Sequence, residues 1–259
     1  MTTNAPTPLG PGFTLGAGIF ETIRAVDGRP QRWADHRARL LRSHQEIAEG
    51  RWLPDLASRD LYGALLAALA PYPQGEARIR LMVAAGPTEG EGRLVVEAAP
   101  MPSTTATRRL GVRAQSVPWR PPLTARWKTT SHLPYLLAGR LAAETRPGAE
   151  ALLVDAATHR VLEGATWNVF VVRDRTLITP PADGALLPGI ARAQLMRLAE
   201  GEGWTISESP LHPHDLHQGD GILITNALIT VAPLTHLDGA PLPDAGALAT
   251  RFRDLWPCD

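Results

Sequence analysis

The chain has 259 residues, with 26 basic side chains balanced by 26 acidic ones and 44% hydrophobic residues. That length allows two modest domains with proper cores, and the charge balance offers no basic surplus for nucleic acid or an anionic membrane, so a small-molecule partner fits better. The single cysteine, Cys258, excludes an internal disulfide framework and a cysteine-rich metal site.

The opening MTTNAPTPLGPG has no basic region followed by an apolar one, and no apolar run reaches membrane-spanning length, so a soluble cytoplasmic protein is expected. Residues 1–12 read as a loose arm. Next, GIFETIRAVDGRPQRW alternates apolar and polar residues around the turn signal DGRP, the pattern of a strand hairpin. DHRARLLRSHQEIAEG predicts a helix with Asp35 at its N-cap and Leu40, Leu41 and Ile47 at helical spacing, its arginines turned to water or a ligand. SRDLYGALLAALA predicts a second helix, capped by Ser58. ARIRLMVAAG and RLVVEAAP predict strands on either side of the glycine-rich GPTEGEG.

The small, polar stretch APMPSTTATRR reads as an interdomain linker, dividing the chain into a smaller domain, 1–104, and a larger one, 105–259. Beyond it LGVRAQSV predicts a strand, and PYLLAGRLAAETR a helix with Pro134 in its first turn. EALLVDA, NVFVV and TLITP predict strands, GIARAQLMRLAEGEG a helix, and GILITNALITVAPL a strand and loop. Irregular alternation with several hairpins predicts an α+β chain of two mixed domains rather than a doubly wound parallel sheet.

Of the 26 basic residues 25 are arginine, which leaves Lys128 as the one lysine. Arginine replaces lysine at most solvated positions, but a guanidinium cannot lose its proton to become a nucleophile, whereas a desolvated amine can and then attacks a carbonyl. A leftover surface charge is the alternative. Three other stretches suit chemistry. In VLEGATWNVFVV, Glu163 lies at a strand end among apolar or small residues, where a carboxylate needs a partner. In GALLPGIARAQL, Pro188 and Gly189 lead into a helix whose first amides form an anion site. In LITNALITVAPL, a strand breaks into Thr225, Asn226 and Ala227, whose backbone can approach a ligand closely. An amine, a carboxylate, amide-rich loops and an arginine are the parts that hold pyridoxal phosphate.

The order GIFETIR, HRARL, WKTTSHLPYLLA, VLEGATWNVFVV, LLPGIARAQL, TNALITVAPL resembles the class IV aminotransferases, the fold-type IV pyridoxal phosphate enzymes, from about Phe13 to Leu234. The resemblance implies that Lys128 forms the Schiff base and shuttles protons, and that Glu163 binds the pyridine nitrogen. It also implies that Arg39 clamps the phosphate with the amides of Ile190 and Ala191 and with Asn226 and Ala227. It further implies a homodimer with its active site between a small and a larger domain. The chain departs from the family pattern at Ala191, usually Thr, at His132, often Tyr, and at Gly16, Ala17 and Gly18, where relatives often have GDG.

Within that family the short chain, the Thr22 of GIFETIR, and a PTEGEG loop without the Arg-x-His carboxylate trap of D-amino acid transaminases lean toward 4-amino-4-deoxychorismate lyase. A branched-chain or D-amino acid aminotransferase is the alternative. Arg78 and Arg80 share a strand face and can meet a substrate carboxylate; a solvated face explains them equally well. His212, His214 and His217 are interrupted by Pro213 and have no carboxylate or cysteine at ligand spacing, so no metal is expected. Trp167 and Arg192 read as packing or pairing residues.

Overall fold

The computed structural model describes residues 10–48, 53–88 and 91–258, so residues 1–9 of the expected arm and residues 89–90 of the glycine-rich loop lie outside the described residues. Two compact units divide the described residues: those within 10–100 together with 127–132, and 101–126 with 133–258.

The first unit contains α1 (Pro11–Thr14), β1 (Gly18–Val26), β2 (Arg29–Pro30), α2 (Trp33–Ala48), α3 (Leu61–Leu69), β3 (Glu76–Ala84) and β4 (Arg93–Pro100). Its sheet runs β2-β1-β3-β4 and is antiparallel throughout. The DG signal becomes a two-residue hairpin turn because Asp27 and Gly28 both take positive φ, 47° and 74°, with Val26 paired to Arg29. Strand alternation then sorts the faces. Ile19, Ile23, Ala77, Ile79, Leu81 and Val83 pack inward with Leu40 of α2 and Leu61, Leu65 and Leu69 of α3. Phe20, Thr22 and Arg24, paired with Met82, Arg80 and Arg78, take the other face. Two caps differ from expectation. The helix α2 starts before Asp35, which lies in its first turn and accepts from Arg32 Nε at 3.1 Å. The cap of α3 is Asp60 rather than Ser58, since its carboxylate reaches the Gly63 amide, 2.8 Å, two residues into the helix from Leu61.

The second unit contains α4 (Thr104–Leu110), β5 (Val112–Trp119), α5 (Leu133–Thr145), β6 (Glu150–Asp155), β7 (Val161–Gly164), β8 (Asn168–Arg173) and β9 (Thr176–Thr179). It continues with α6 (Ile190–Gly201), β10 (Thr205–Glu208), α7 (Pro213–His217), β11 (Gly221–Asn226), β12 (Thr230–Leu237), β13 (Ala240–Pro241) and α8 (Gly246–Asp254). Its mixed sheet runs β10-β9-β8-β11-β12-β5-β6-β7, with β13 on β12; β10–β9, β12–β5 and β5–β6 are parallel. Residues 168–172 of β8 and 221–225 of β11 are buried without a break, because both faces of these central strands are covered. Val169, Val171, Ile222 and Ile224 join one apolar cluster, while Phe170, Val172 and Leu223 join another with Leu195 of α6 and Phe252 of α8.

Two readings change here. The stretch taken as a linker includes α4, and GILITNALITVAPL is two antiparallel strands joined by a short turn. No helix among the described residues is long and apolar enough to cross a membrane. Phe170 is fully buried, so Phe170→Ala is expected to lower the stability of the fold by about 3–5 kcal/mol through lost transfer energy and a residual cavity. The midpoint of urea unfolding measures this; an unchanged midpoint would contradict the packing described.

Candidate active site

The lysine segment is held by main-chain hydrogen bonds on the edge of β1 that faces away from β3. Phe20 N donates to Lys128 O at 2.9 Å, Thr130 N to Gly18 O at 2.9 Å, and Thr129 bridges Ile19. A Cβ on Gly18 would come within 2.7 Å of Val83 O and 2.9 Å of Thr130 Oγ1, so this close approach needs glycine. Trp127 Nε1 donates to Glu46 Oε2 of α2 at 2.7 Å. These bonds place residues 127–132 in the first unit, whereas the linker-based division assigned the lysine to the C-terminal domain.

The Lys128 amine lies 4.5 Å from the centre of the Phe20 ring, and the Arg80 guanidinium carbon 5.1 Å from it. His132 meets the same ring edge-on, with centroids 5.8 Å apart. Burial first, then the charges of Lys128 and Arg80, hold the His132 imidazole down at about 4, so it is neutral at neutral pH.

Of the arginines of α2, expected to face water or a ligand, Arg39 does not face water. It is buried against β1, donating from Nε to Glu21 Oε1 at 2.9 Å and from Nη2 to Glu21 Oε2 at 2.6 Å. His36 Nδ1 is 2.7 Å from Glu21 Oε2. Burial alone would raise the Glu21 carboxyl, but the Arg39 charge and the hydrogen bonds from His36 and Arg39 reverse that and bring it to about 2. Burial lowers His36 as well, against the opposing pull of Glu21.

In the second unit β7 ends at Glu163 and Gly164, where Gly164 N donates to Trp167 O at 2.7 Å. The buried Glu163 accepts on Oε2 from Asn168 Nδ2 at 3.2 Å and from Leu187 N at 3.3 Å. Asn168 Nδ2 also donates to Leu187 O at 3.0 Å. A Cβ on Gly189 would fall 2.0 Å from Asn168 Oδ1, so glycine is required where the loop enters α6. Gly189 is the N-cap, no side chain among the described residues caps the helix, and Ile190 and Ala191 form its first turn. This helix packs on β11, where the buried Thr225 Oγ1 has no hydrogen-bond partner among the described residues. Asn226 Oδ1 accepts from the amides of Leu228 and Ile229, both at 2.9 Å, and its Nδ2 donates to Thr166 O at 3.2 Å. Its side chain therefore shapes the turn that carries Ala227. Tyr135, on α5, packs on Trp119 with ring centroids 4.9 Å apart; burial first, and then the Glu163 charge, push its phenol well above the ordinary range.

The predicted residues thus fall into two groups: Lys128 and Arg39 in the first unit, and Glu163, Ile190, Ala191, Asn226 and Ala227 in the second. Sequence reading missed Glu21, His36, Asn168 and Tyr135. The period-two pattern of FETIR, which puts Glu21 on the same face as Ile19 and Ile23, was the available signal for the first of these. Arg192 is a pairing residue, donating to Pro180 O at 3.0 Å and Glu208 Oε2 at 2.8 Å, and the Trp167 indole donates to Glu150 at 2.8 Å. His212 belongs to the cap of α7, its amide donating to Asp215 Oδ2 at 2.7 Å.

A fixed buried carboxylate, a helix start uncapped by any side chain and an orphaned threonine hydroxyl on the strand beneath that helix form a donor set that fits a pyridine nitrogen and a phosphate. The comparisons with known proteins agree. The model of the amino-transferase class IV family matches residues 18–237. A protein of Methanocaldococcus jannaschii named as a candidate branched-chain-amino-acid aminotransferase is 31% identical over 240 residues, 88% of this chain and 81% of that one. The pyridoxal-phosphate-bound form of a hypothetical aminotransferase from Mycobacterium tuberculosis superposes with a TM-score of 0.83 at 25% identity, covering 98% of this chain and 93% of that one. A candidate 4-amino-4-deoxychorismate lyase from Legionella pneumophila has the same fold, with a TM-score of 0.85 at 21% identity and coverage of 98% and 95%. The chain belongs to the class IV aminotransferase family. It has the fold-type IV α+β architecture and is a pyridoxal-phosphate-dependent enzyme.

Proposed function

We propose that this enzyme is a 4-amino-4-deoxychorismate lyase that releases pyruvate and 4-aminobenzoate. The observation that carries the reading is the setting of the Lys128 amine, which shares the Phe20 ring with the Arg80 guanidinium and the neutral His132 imidazole. An aromatic and cationic surround suits a flat unsaturated ring bearing carboxylates better than a branched aliphatic side chain.

In this reading Lys128 and Glu163 serve one cofactor. Pyridoxal phosphate, when bound, supplies an aldehyde for the amine and a ring that accepts the electrons left by a departing proton. Lys128 Nζ holds the cofactor, then removes the proton from the amine-bearing carbon of the substrate. Loss of that proton and of the enolpyruvate oxygen from the neighbouring carbon makes the ring aromatic, and the released enol takes up a proton to become pyruvate. Glu163 keeps the pyridine nitrogen protonated, and Asn168 and the Leu187 amide keep Glu163 in place. Arg39 and the amides of Ile190 and Ala191, with Asn226 and Ala227, hold the phosphate, and Arg80 meets a substrate carboxylate. A homodimer and a cytoplasmic location belong to the same proposal.

The second reading is a class IV aminotransferase, favoured by the name of the relative at 31% identity. Product analysis separates the two. Incubation with aminodeoxychorismate is expected to yield 4-aminobenzoate and pyruvate in equal amounts, and amino acids with 2-oxoglutarate are expected to yield little glutamate. Glutamate without any 4-aminobenzoate would overturn the lyase.

A further inference from the structure

Glu21, His36 and Arg39 form a buried cluster that the proposed reaction uses only through its arginine. The two elements that build it are joined by a short hairpin, and each contributes on a fixed period. Glu21 alternates with Ile19 and Ile23 on the inward face of β1, and His36 and Arg39 lie one turn apart on α2, next to the buried Leu40 and Ser43. Both carboxylate oxygens are occupied: Oε1 by Arg39 Nε, Oε2 by Arg39 Nη2 and His36 Nδ1. The His36 ring nitrogen Nδ1 lies 2.7 Å from Oε2, where its N–H donates to the carboxylate, while burial lowers the imidazole against the pull of Glu21.

A buried ion pair of this kind contributes little net stability, because removing two charges from water costs about as much as their attraction returns; an aliphatic pair of the same volume would serve a core at least as well. Orientation is what the pair supplies. Two parallel bonds along the Nε–Nη2 edge fix the plane of the guanidinium, so the edge bearing Nη1 points in one direction without further entropy loss. We propose that Glu21, steadied by His36, is a positioning residue that presents Arg39 to the cofactor phosphate. This rests on the reading that Arg39 binds that phosphate.

The sign of the effect makes the proposal testable. If Glu21 only neutralised charge near the phosphate, its removal would strengthen phosphate binding. If it positions Arg39, its removal weakens phosphate binding although the site becomes more positive. Pyridoxal and pyridoxal phosphate offer the same ring and the same reactive aldehyde, so the ratio of their dissociation constants isolates the phosphate. Both are read by absorbance titration of the full-length apoprotein, with no turnover required.

In Glu21→Gln the preference for pyridoxal phosphate over pyridoxal is expected to fall about tenfold or more, the scale of one charge-assisted hydrogen bond. Glu21→Asp, which keeps the charge but withdraws it by one methylene, is expected to lose most of the same preference. His36→Phe, which keeps the volume and removes the donor, is expected to lose about twofold to fivefold, and it decides the question if the Glu21 variants do not fold. Arg39→Met is the reference. A preference lowered in Arg39→Met but unchanged or raised in the other variants overturns the positioning role while leaving Arg39 as the phosphate ligand. A preference unchanged in Arg39→Met removes the reading on which the proposal stands, and the proposal with it.

Discussion

Lys128→Ala is expected to fold normally and to lose turnover by at least about a thousandfold, since it removes both the nucleophilic amine and the proton shuttle. Folding survives because the segment is held by its backbone. The bonds from Phe20 N to Lys128 O and from Thr130 N to Gly18 O involve no side-chain atom of the lysine. What the fold loses includes the amine over the Phe20 ring, worth about 0.5–1 kcal/mol. The chain also supplies a control on chemistry apart from rate, because Lys128 is its single lysine. Borohydride reduction in the presence of pyridoxal phosphate should attach one cofactor to a wild-type lysine side chain and none in the variant, as read by peptide mass. Full activity in Lys128→Ala would refute the mechanism outright.

Glu163→Gln should produce a protein that still binds the cofactor but reacts about a hundredfold to a thousandfold more slowly, the scale of losing one preorganised electrostatic partner. The substitution is nearly isosteric. A glutamine oxygen in the place of Oε2 still accepts from Asn168 Nδ2 and Leu187 N, so the loop into α6 keeps its anchor. Glu163→Ala would leave those two donors without their acceptor at a cost of about 1–3 kcal/mol, which confounds stability with catalysis. Tyr135 gives an independent readout. Its phenol is raised by burial and then by the Glu163 charge, so removing that charge should let it ionise at lower pH, followed as tyrosinate absorbance. A Glu163→Gln enzyme with wild-type turnover would mean that the carboxylate does not serve the ring nitrogen.

How much of this was legible beforehand differs from residue to residue. Lys128 stood out by composition alone, Glu163 by being a carboxylate in an apolar setting, and Gly189 by leading into a helix. Each of these is a local signal. The caps were less secure: Ser58 and Asp60 are both good capping residues two positions apart, and only the reach of a carboxylate to the Gly63 amide separates them. The supposed linker shows the same limit. TTATRRL is small and polar, yet it forms α4, whose Arg108 pairs with Glu150 on β6 at 2.7 Å, a partner 42 positions away.

The sequence by itself determined the chemical inventory: one amine able to lose its proton, a carboxylate among apolar residues, glycines at the loop into a helix, and the alternation that turns Glu21 inward. Tertiary structure alone decided that Arg39 rather than Arg37 or Arg42 is buried against that carboxylate, that Asn168 steadies Glu163, and that the lysine segment joins the first sheet instead of the second unit. The physical reason is range. Side-chain identity and strand or helix periodicity are fixed by neighbours along the chain, whereas a hydrogen bond between groups 18 or 108 residues apart depends on which edges and faces folding brings together, and no local pattern encodes that choice.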